Sequence, residues 1–163
     1  HAYPALMERR MTATVYVVAD TIGGVNDWDA RQGDRREPMM SVEQIREMAK
    51  SGFEIGSHTL THPHLPDISV EQLTREIVDS KNRLEDILGR EVVSFSYPYG
   101  DYDDRVLAAS IEAGYDYAVT TKLGIVGGNS IFEIPRVNVR WNAIGPLLMR
   151  KINRARRASG VII

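Results

Sequence analysis

The sequence predicts an α/β protein in which strands and helices alternate to build a mainly parallel sheet or barrel. Short β-branched and apolar runs alternate with helix-length amphipathic stretches along the chain. Glycine or proline ends most of these segments, and polar residues follow the runs predicted as strands. In parallel α/β folds, functional residues cluster at the carboxyl ends of strands, so these polar segments are the candidates for a site. With 163 residues, the chain is expected to form a single domain over residues 1–163.

The first predicted strand follows the end of a helix. Residues 2–10 have helical apolar spacing, and residues 12–18 are β-branched and apolar, which indicates a buried strand. Residues 20–40 are polar and contain several glycines, so they are predicted to form a long loop of the kind that is often functional. Trp28 in this loop could form a wall against a sugar ring, or it could fix the loop to the protein body.

Two helices are predicted to start at capping boxes. Ser41 and Ser69 are each followed three residues later by a glutamine, which can hydrogen-bond back to the helix start. The two helices are expected to end at Gly52 and Gly89. The remaining segments continue the alternation, with strands at 53–56, 92–96, 117–120 and 134–139, and helices at 103–113 and from Pro146 onward. The basic residues of the last helix are interpreted as a solvated face.

The composition limits the kinds of function. A hydrophobic fraction of 43%, a charged fraction of 26% and a net charge of −2 give no indication of disorder or nucleic-acid binding. No apolar run reaches the roughly 20 residues that a membrane-spanning helix needs. The chain has no cysteine, so a metal would have to be bound by histidine and carboxylate. The composition determines neither the compartment nor the oligomeric state.

Two of the histidines lie four positions apart, directly after the predicted strand at 53–56. Neutral imidazoles at the spacing of His58 and His62 can bind one metal ion, although surface histidine pairs often bind none. A metalloprotease helix would carry glutamate where this chain has Thr59, and Pro63 disfavours helical geometry at His62. The pair is therefore predicted to lie on a loop that leaves a strand.

Other polar residues are expected at the same edge of the sheet, in segments 97–101 and 120–121 and at Arg136. A catalytic zinc-type site needs a third protein ligand and an open position for water. The strand-end candidates for that ligand are Asp101, Asp103 and Asp104. Each of them is also explained as an N-cap of the following helix, and we favour the capping role.

Two motifs resemble those of a known family. Residues 56–63 (GSHTLTHP) are similar to the pattern H-[ST]-x-x-H, and residues 95–100 (FSYPYG) are similar to the pattern R-x-P-[YF]-G. These are the second and third motifs of the polysaccharide deacetylases of carbohydrate esterase family 4, the NodB-homology domain. Segments 12–18, 113–121 and 134–137 resemble further parts of that family, so the resemblance covers nearly the whole chain.

The resemblance implies a distorted (β/α) barrel of about seven strands and a metal-dependent removal of N- or O-acetyl groups from a glycan. His58 and His62 would bind a divalent metal ion, with zinc the favoured one. The backbone N–H of Tyr99 would help to hold the developing oxyanion, and Thr59 would brace the histidine loop. The substrate-binding residues would be Tyr97, Pro98 and Trp28.

Three departures from the family pattern are visible. The first motif, T-F-D-D, supplies the catalytic base and a metal-binding aspartate, and it would lie upstream of His1, so we expect the chain to be N-terminally incomplete, with its first strand missing. Ser96 occupies the arginine position of the third motif, and Arg136 is the expected substitute from a neighbouring strand. No histidine follows His64, so the usual general acid has no counterpart, and His64 itself is interpreted as a bystander.

Two alternative functions stay open at this stage. One is a carbohydrate-binding relative that lost the catalytic aspartate, and the other is a metal-independent amidohydrolase of the same superfamily. The intact His58/His62 pair argues against the second alternative. Loops 20–40 and 121–130 are expected to set substrate choice, and the sequence does not identify the glycan.

Overall fold

The computed structural model describes residues 2–30, 35–127, 130–139 and 144–159. Residues 31–34 of the predicted loop 20–40 and residues 128–129 of the predicted loop 121–130 lie outside the described part. In the described ranges, no helix is long and apolar enough to span a membrane.

A parallel sheet forms the centre of the protein. Its five strands lie side by side in chain order, and they are β1 Thr14–Val17, β2 Glu54–Ser57, β3 Ser94–Ser96, β4 Tyr117–Leu123 and β5 Ile134–Arg136. This arrangement confirms the predicted α/β class with a parallel sheet. A closed barrel of about seven strands is not confirmed, because among the described residues β1 and β5 are the two edges of a five-stranded sheet.

Helices connect the strands as predicted. They are α1 Ala2–Glu8, α2 Asp27–Ala30, α3 Val42–Lys50, α4 Val70–Thr74, α5 Ser80–Leu88, α6 Asp104–Glu112 and α7 Pro146–Ala158. A π-helical turn, Arg75–Asp79, joins α4 to α5, so the predicted helix 70–88 is continuous but not purely α-helical. Complete capping boxes start α3 at Ser41 and α4 at Ser69. The short helix α2 lies inside the region predicted as a loop.

The two faces of the sheet differ in chemistry. On the helix-covered face, Ile55 and Phe95 pack with helix residues such as Leu73 in the main apolar core. On the opposite face, the Glu54 carboxylate accepts hydrogen bonds from Ser94 and, at 2.6 Å, from the hydroxyl of Tyr117. The strand alternation of period two therefore separates an apolar side from a polar side.

A glycine in β2 allows an aromatic ring to lie across the polar face. A Cβ atom at Gly56 would lie 2.5 Å from Oγ of Ser94 and 2.6 Å from the ring of Tyr16. No real Cβ tolerates such distances from ring and strand atoms, so the packing of Tyr16 across β2 requires glycine at this position.

The carboxyl ends of the strands lie at one edge of the sheet. The histidine loop 58–63 follows β2, the turn Pro98–Gly100 follows β3, and Arg136 is the last residue of β5. Gly100 has a φ of +80°, and a Cβ there would lie 2.0 Å from Oγ1 of Thr121. The turn after β3 therefore packs directly on the end of β4, which brings the segments predicted to form a site together.

Candidate metal and substrate site

The histidine loop is a tight turn held by its own side chains. Thr59 and His62 both have positive φ values, 68° and 63°, which cost non-glycine residues about 1–2 kcal/mol each. The fully buried Oγ1 of Thr59 accepts a hydrogen bond from the backbone N–H of His62 at 3.0 Å. This is the bracing contact that the resemblance implied for Thr59.

The turn brings two imidazole nitrogens together. Nε2 of His58 and Nε2 of His62 are 3.2 Å apart, and their ring centroids are 4.7 Å apart with an edge-to-face arrangement. Two nitrogens bound to one tetrahedral zinc ion at about 2.0–2.1 Å would lie roughly 3.3 Å apart. The geometry of the pair therefore fits two ligands of one metal ion.

A second contact orients His58. Its Nδ1 lies 2.6 Å from the backbone carbonyl oxygen of Ser96, so the Nδ1–H donates to that oxygen and Nε2 is left as the basic nitrogen. The pKa of His58 is lowered to about 4, mainly by burial and to a smaller extent by the neighbouring His62 and Arg136, while the hydrogen bond to Ser96 opposes the shift. His58 is therefore neutral near pH 7, which is the state that binds metals.

In the part of the chain that the structure describes, no third metal ligand accompanies the pair. Among the described residues, no group of three histidine or carboxylate side chains could hold a metal ion. Asp103 caps α6 through a 2.9 Å hydrogen bond from the N–H of Val106, which confirms the capping role favoured for it. Asp101 instead lies 2.8 Å from Nδ1 of His64, and Asp104 lies in the first turn of α6.

Arg136 brings a guanidinium group to the third motif. Its Nη2 lies 3.3 Å from Oγ of Ser96, and its Nε donates to the carbonyl oxygen of Thr120 at 2.6 Å. The guanidinium also lies 6.0 Å from the ring centroid of Tyr16. Burial lowers the pKa of Arg136. Arg136 thus reaches Ser96 from β5, which lies two strands away from β3, whereas a strand next to β3 was predicted.

A cavity of about 450 Å³ opens beside the histidine pair, and its lining includes Thr21, Asp27, Trp28, Thr61, His62, Pro63, His64 and Tyr99. Four of these rings form a continuous row. Trp28 stacks on His62 with centroids 4.9 Å apart, the edge of Tyr99 meets His62 at 4.6 Å, and His64 stacks on Tyr99 at 4.0 Å. The arrangement is suited to a sugar ring, whose apolar face packs on aromatic groups.

Two predicted substrate contacts do not reach this cavity. The side chain of Tyr97 is 1% exposed, and its hydroxyl donates to the carbonyl oxygen of Phe132 at 3.0 Å. Pro98 is also buried. Tyr97 lies two residues after Phe95 and therefore on the same face of the sheet, so its ring points into the apolar core. The side chains of Tyr97 and Pro98 are thus buried away from the cavity, and a role of these residues in substrate binding stays a prediction.

Two residues of this region were not predicted to take part in the site. His64, interpreted as a bystander, stacks on Tyr99 and contacts Asp101 across 37 residues of sequence. Glu76 was not considered, yet its carboxylate accepts hydrogen bonds from the backbone N–H groups of Leu60 and Thr61. No local sequence pattern indicates either contact, because both depend on how distant segments pack.

Comparisons with known proteins agree with these motifs. A family model described as polysaccharide deacetylase matches residues 1–118. The protein YxkH of Bacillus subtilis (strain 168), assigned as a polysaccharide deacetylase, is 30% identical over 139 residues, which are 85% of this chain and 46% of that protein.

Two solved structures are similar in fold. The Streptococcus pyogenes deacetylase PplD, solved with acetate, gives a TM-score of 0.79 at 26% identity over 93% of this chain and 63% of PplD. The polysaccharide deacetylase BC0361 of Bacillus cereus gives a TM-score of 0.77 at 28% identity over 92% of this chain and 46% of BC0361. The chain thus spans between 46% and 63% of the length of these three proteins.

Proposed function

The chain belongs to the polysaccharide deacetylase family. We propose that it removes N- or O-acetyl groups from a glycan in a reaction that depends on a divalent metal ion. The observation that carries the proposal is the 3.2 Å separation between Nε2 of His58 and Nε2 of His62. It is supported by the hydrogen bond that turns Nδ1 of His58 toward Ser96.

In this proposal, His58 and His62 hold the ion, with zinc favoured because both ligands are imidazoles. A divalent ion bound there would polarise an acetyl carbonyl and acidify a water molecule toward neutral pH. The chain's own contribution is to keep His58 neutral and both imidazoles fixed. Burial keeps His58 neutral because it lowers the pKa of that residue. The hydrogen bond from the N–H of His62 to Thr59 fixes the loop that carries the imidazoles.

Tyr99 and Trp28 would position the acetylated sugar. Tyr99 lies in the turn after β3 with a φ of 59°, and its ring contacts His62. We assign its backbone N–H to the developing oxyanion, where a fixed donor stabilises charge most effectively. The ring of Trp28 borders the cavity beside His62, where it would pack on the sugar.

Arg136 would hold the carboxylate that acts as the base. Among the ion pairs of the described residues none involves Arg136, although burial makes a lone guanidinium unfavourable there. A cavity of about 920 Å³ separates the two sheet edges, and its lining includes Leu6, Thr14, Arg136 and Val139.

A non-catalytic glycan-binding relative is the second candidate. It is favoured by one observation, the lack of a three-residue metal-binding group among the described residues. Both candidates use the aromatic cavity, but only the first needs the histidine pair.

The test is acetate release from N-acetylglucosamine oligosaccharides and from acetylated xylan, with zinc or cobalt and with a chelator. We expect release with metal, loss of release with the chelator, and loss in His58→Ala. Glu71→Gln, an exposed change on α4, is the matched control and should behave as the unmodified protein. Glycan binding without acetate release under all conditions would favour the non-catalytic relative and overturn the proposal.

A further inference from the structure

The backbone of the histidine loop is held from two opposite sides. On the β1 side, the N–H of His58 donates to Val17, and the carbonyl oxygens of Thr59 and Leu60 accept from Ala19 and Asp20, all within 2.9–3.0 Å. On the other side lies the helix 70–88. There the N–H groups of Leu60 and Thr61 both donate to one side chain of that helix.

That side chain is Glu76. Its Oε2 accepts from the N–H of Leu60 at 2.8 Å and from the N–H of Thr61 at 2.9 Å, and its Oε1 accepts from the hydroxyl of Thr61 at 2.6 Å. Hydrogen bonds to an ionised acceptor are stronger than neutral ones. One carboxylate therefore fixes the two residues that lie between the loop's two left-handed positions, Thr59 and His62.

Glu76 reaches the loop from an irregular turn. It lies in the π-helical segment Arg75–Asp79, between the α-helical segments α4 and α5. The next residues of the same turn serve the core, since Ile77 is fully buried and its carbonyl oxygen accepts from the hydroxyl of Ser80 at 3.0 Å. π-Helical turns are rare and are frequently found at functional sites. Here the turn presents a carboxylate to the histidine loop while keeping Ile77 in the core.

From these contacts we infer that Glu76 is a positioning residue, which holds loop 58–62 in the conformation that keeps the two Nε2 atoms convergent. The inference rests on the proposed function of His58 and His62 as metal ligands. The hydrogen bonds of Glu76 go to Leu60 and Thr61, the two residues before His62. Glu76 acts through the backbone, because without its three hydrogen bonds the left-handed conformations at Thr59 and His62 are held by fewer contacts.

Two substitutions separate this role from simple folding stability. Glu76→Ala removes all three hydrogen bonds. Glu76→Gln keeps an oxygen that can accept from Leu60 and Thr61, and its amide group can donate to the hydroxyl of Thr61. Glu71→Gln, on the exposed side of the preceding turn, is the matched control.

The first measurement is amide hydrogen exchange of the metal-free protein. Glu76→Ala should raise the exchange rates of Leu60 and Thr61, while Glu76→Gln and the control keep the protection of the unmodified protein. The second is cobalt binding followed by visible absorption, together with the kinetics of acetate release. Glu76→Ala should weaken cobalt binding about tenfold, as the loss of outer-shell contacts to metal ligands does, and should lower kcat with KM within about twofold.

Unchanged exchange and cobalt affinity in Glu76→Ala would overturn the inference, and so would a Glu76→Gln variant as impaired as the alanine variant. If Glu76→Ala does not fold, Glu76→Asp gives the same comparison, since it keeps the charge but withdraws the carboxylate by one methylene. A failure of the proposed function has a different signature. The unmodified protein would then neither bind cobalt nor release acetate, while the exchange of Leu60 and Thr61 would still report on Glu76.

Discussion

His58 and Ser96 join the ends of two neighbouring strands through one hydrogen bond, in which Nδ1 of His58 lies 2.6 Å from the carbonyl oxygen of Ser96. The contact couples the loop after β2 to the last residue of β3, so the position of the imidazole depends on the sheet rather than on the loop alone. It also fixes which ring nitrogen carries the proton. The same residue, Ser96, meets Arg136 through its side chain, which makes it the common neighbour of the histidine pair and the guanidinium group.

The two-histidine arrangement predicts weak metal binding by this chain. Sites with a full ligand set bind zinc with roughly 10–16 kcal/mol of free energy, and an open imidazole pair lacks half of that coordination. Titration calorimetry with zinc should therefore show weak binding that is abolished in His62→Ala. Tight binding by the unmodified chain would mean that a carboxylate outside the described residues completes the site.

The lowered pKa of His58 predicts an acid-sensitive fold. Burial lowers this pKa from 6.5 to about 4, so the unfolded chain takes up the proton near pH 6.5 and the folded protein only near pH 4. The stability contributed by neutral His58 is complete above pH 6.5 and is lost as the pH falls toward 4. The loss amounts to about 3 kcal/mol at most.

Urea unfolding of the metal-free protein at pH 7 and pH 4.5 measures this loss. His58→Gln removes the titrating group, so the variant should show a smaller difference in the free energy of unfolding between the two pH values. An equal difference in the variant and in the unmodified protein would assign the acid sensitivity to other groups.

Local chemistry explains why much of the fold was predictable. Ser41 and Ser69 form capping boxes with residues only three positions away, so the starts of α3 and α4 are visible in the sequence. The turn at His62 was likewise indicated by the adjacent Pro63. The π-helical turn at Arg75–Asp79 was not predicted, because helical propensity and apolar spacing in residues 70–88 suit a regular α-helix equally well.

The site was predictable where motifs and strand ends coincide. The sequence placed His58, His62 and Arg136 at one edge, and the structure brings them to Ser96 or to each other. Glu76 could not be predicted in the same way, since its partners lie 15 and 16 residues away and the contact depends on helix packing. Tyr97 lies two residues after Phe95, so strand alternation indicated that both side chains point into the core. The prediction for Tyr97 followed the motif resemblance instead.

Thr59 is predicted to stabilise the loop through its hydroxyl group alone. Thr59→Val has nearly the same shape but leaves the buried N–H of His62 without its acceptor, which should cost about 1–3 kcal/mol of unfolding free energy. Thr59→Ser keeps the acceptor and should retain both stability and cobalt affinity. Denaturant unfolding and cobalt titration of the two variants check this. Equal behaviour of valine and serine would show that the hydrogen bond is unimportant.

Trp28 is predicted to act on substrate binding. Its ring is half-buried, stacks on His62 at 4.9 Å and borders the cavity beside the histidine pair, so one part of it packs on the protein while another part faces the opening. Loss of an aromatic contact worth about 0.5–1.5 kcal/mol should raise KM for an N-acetylglucosamine oligosaccharide up to about tenfold in Trp28→Ala, with kcat changed less. Trp28→Phe keeps a ring and should recover most of the affinity. Steady-state kinetics and a melting curve of each variant separate the two roles left open for this residue, because a tryptophan that only fixes its loop would lower the melting temperature in Trp28→Ala and leave KM unchanged.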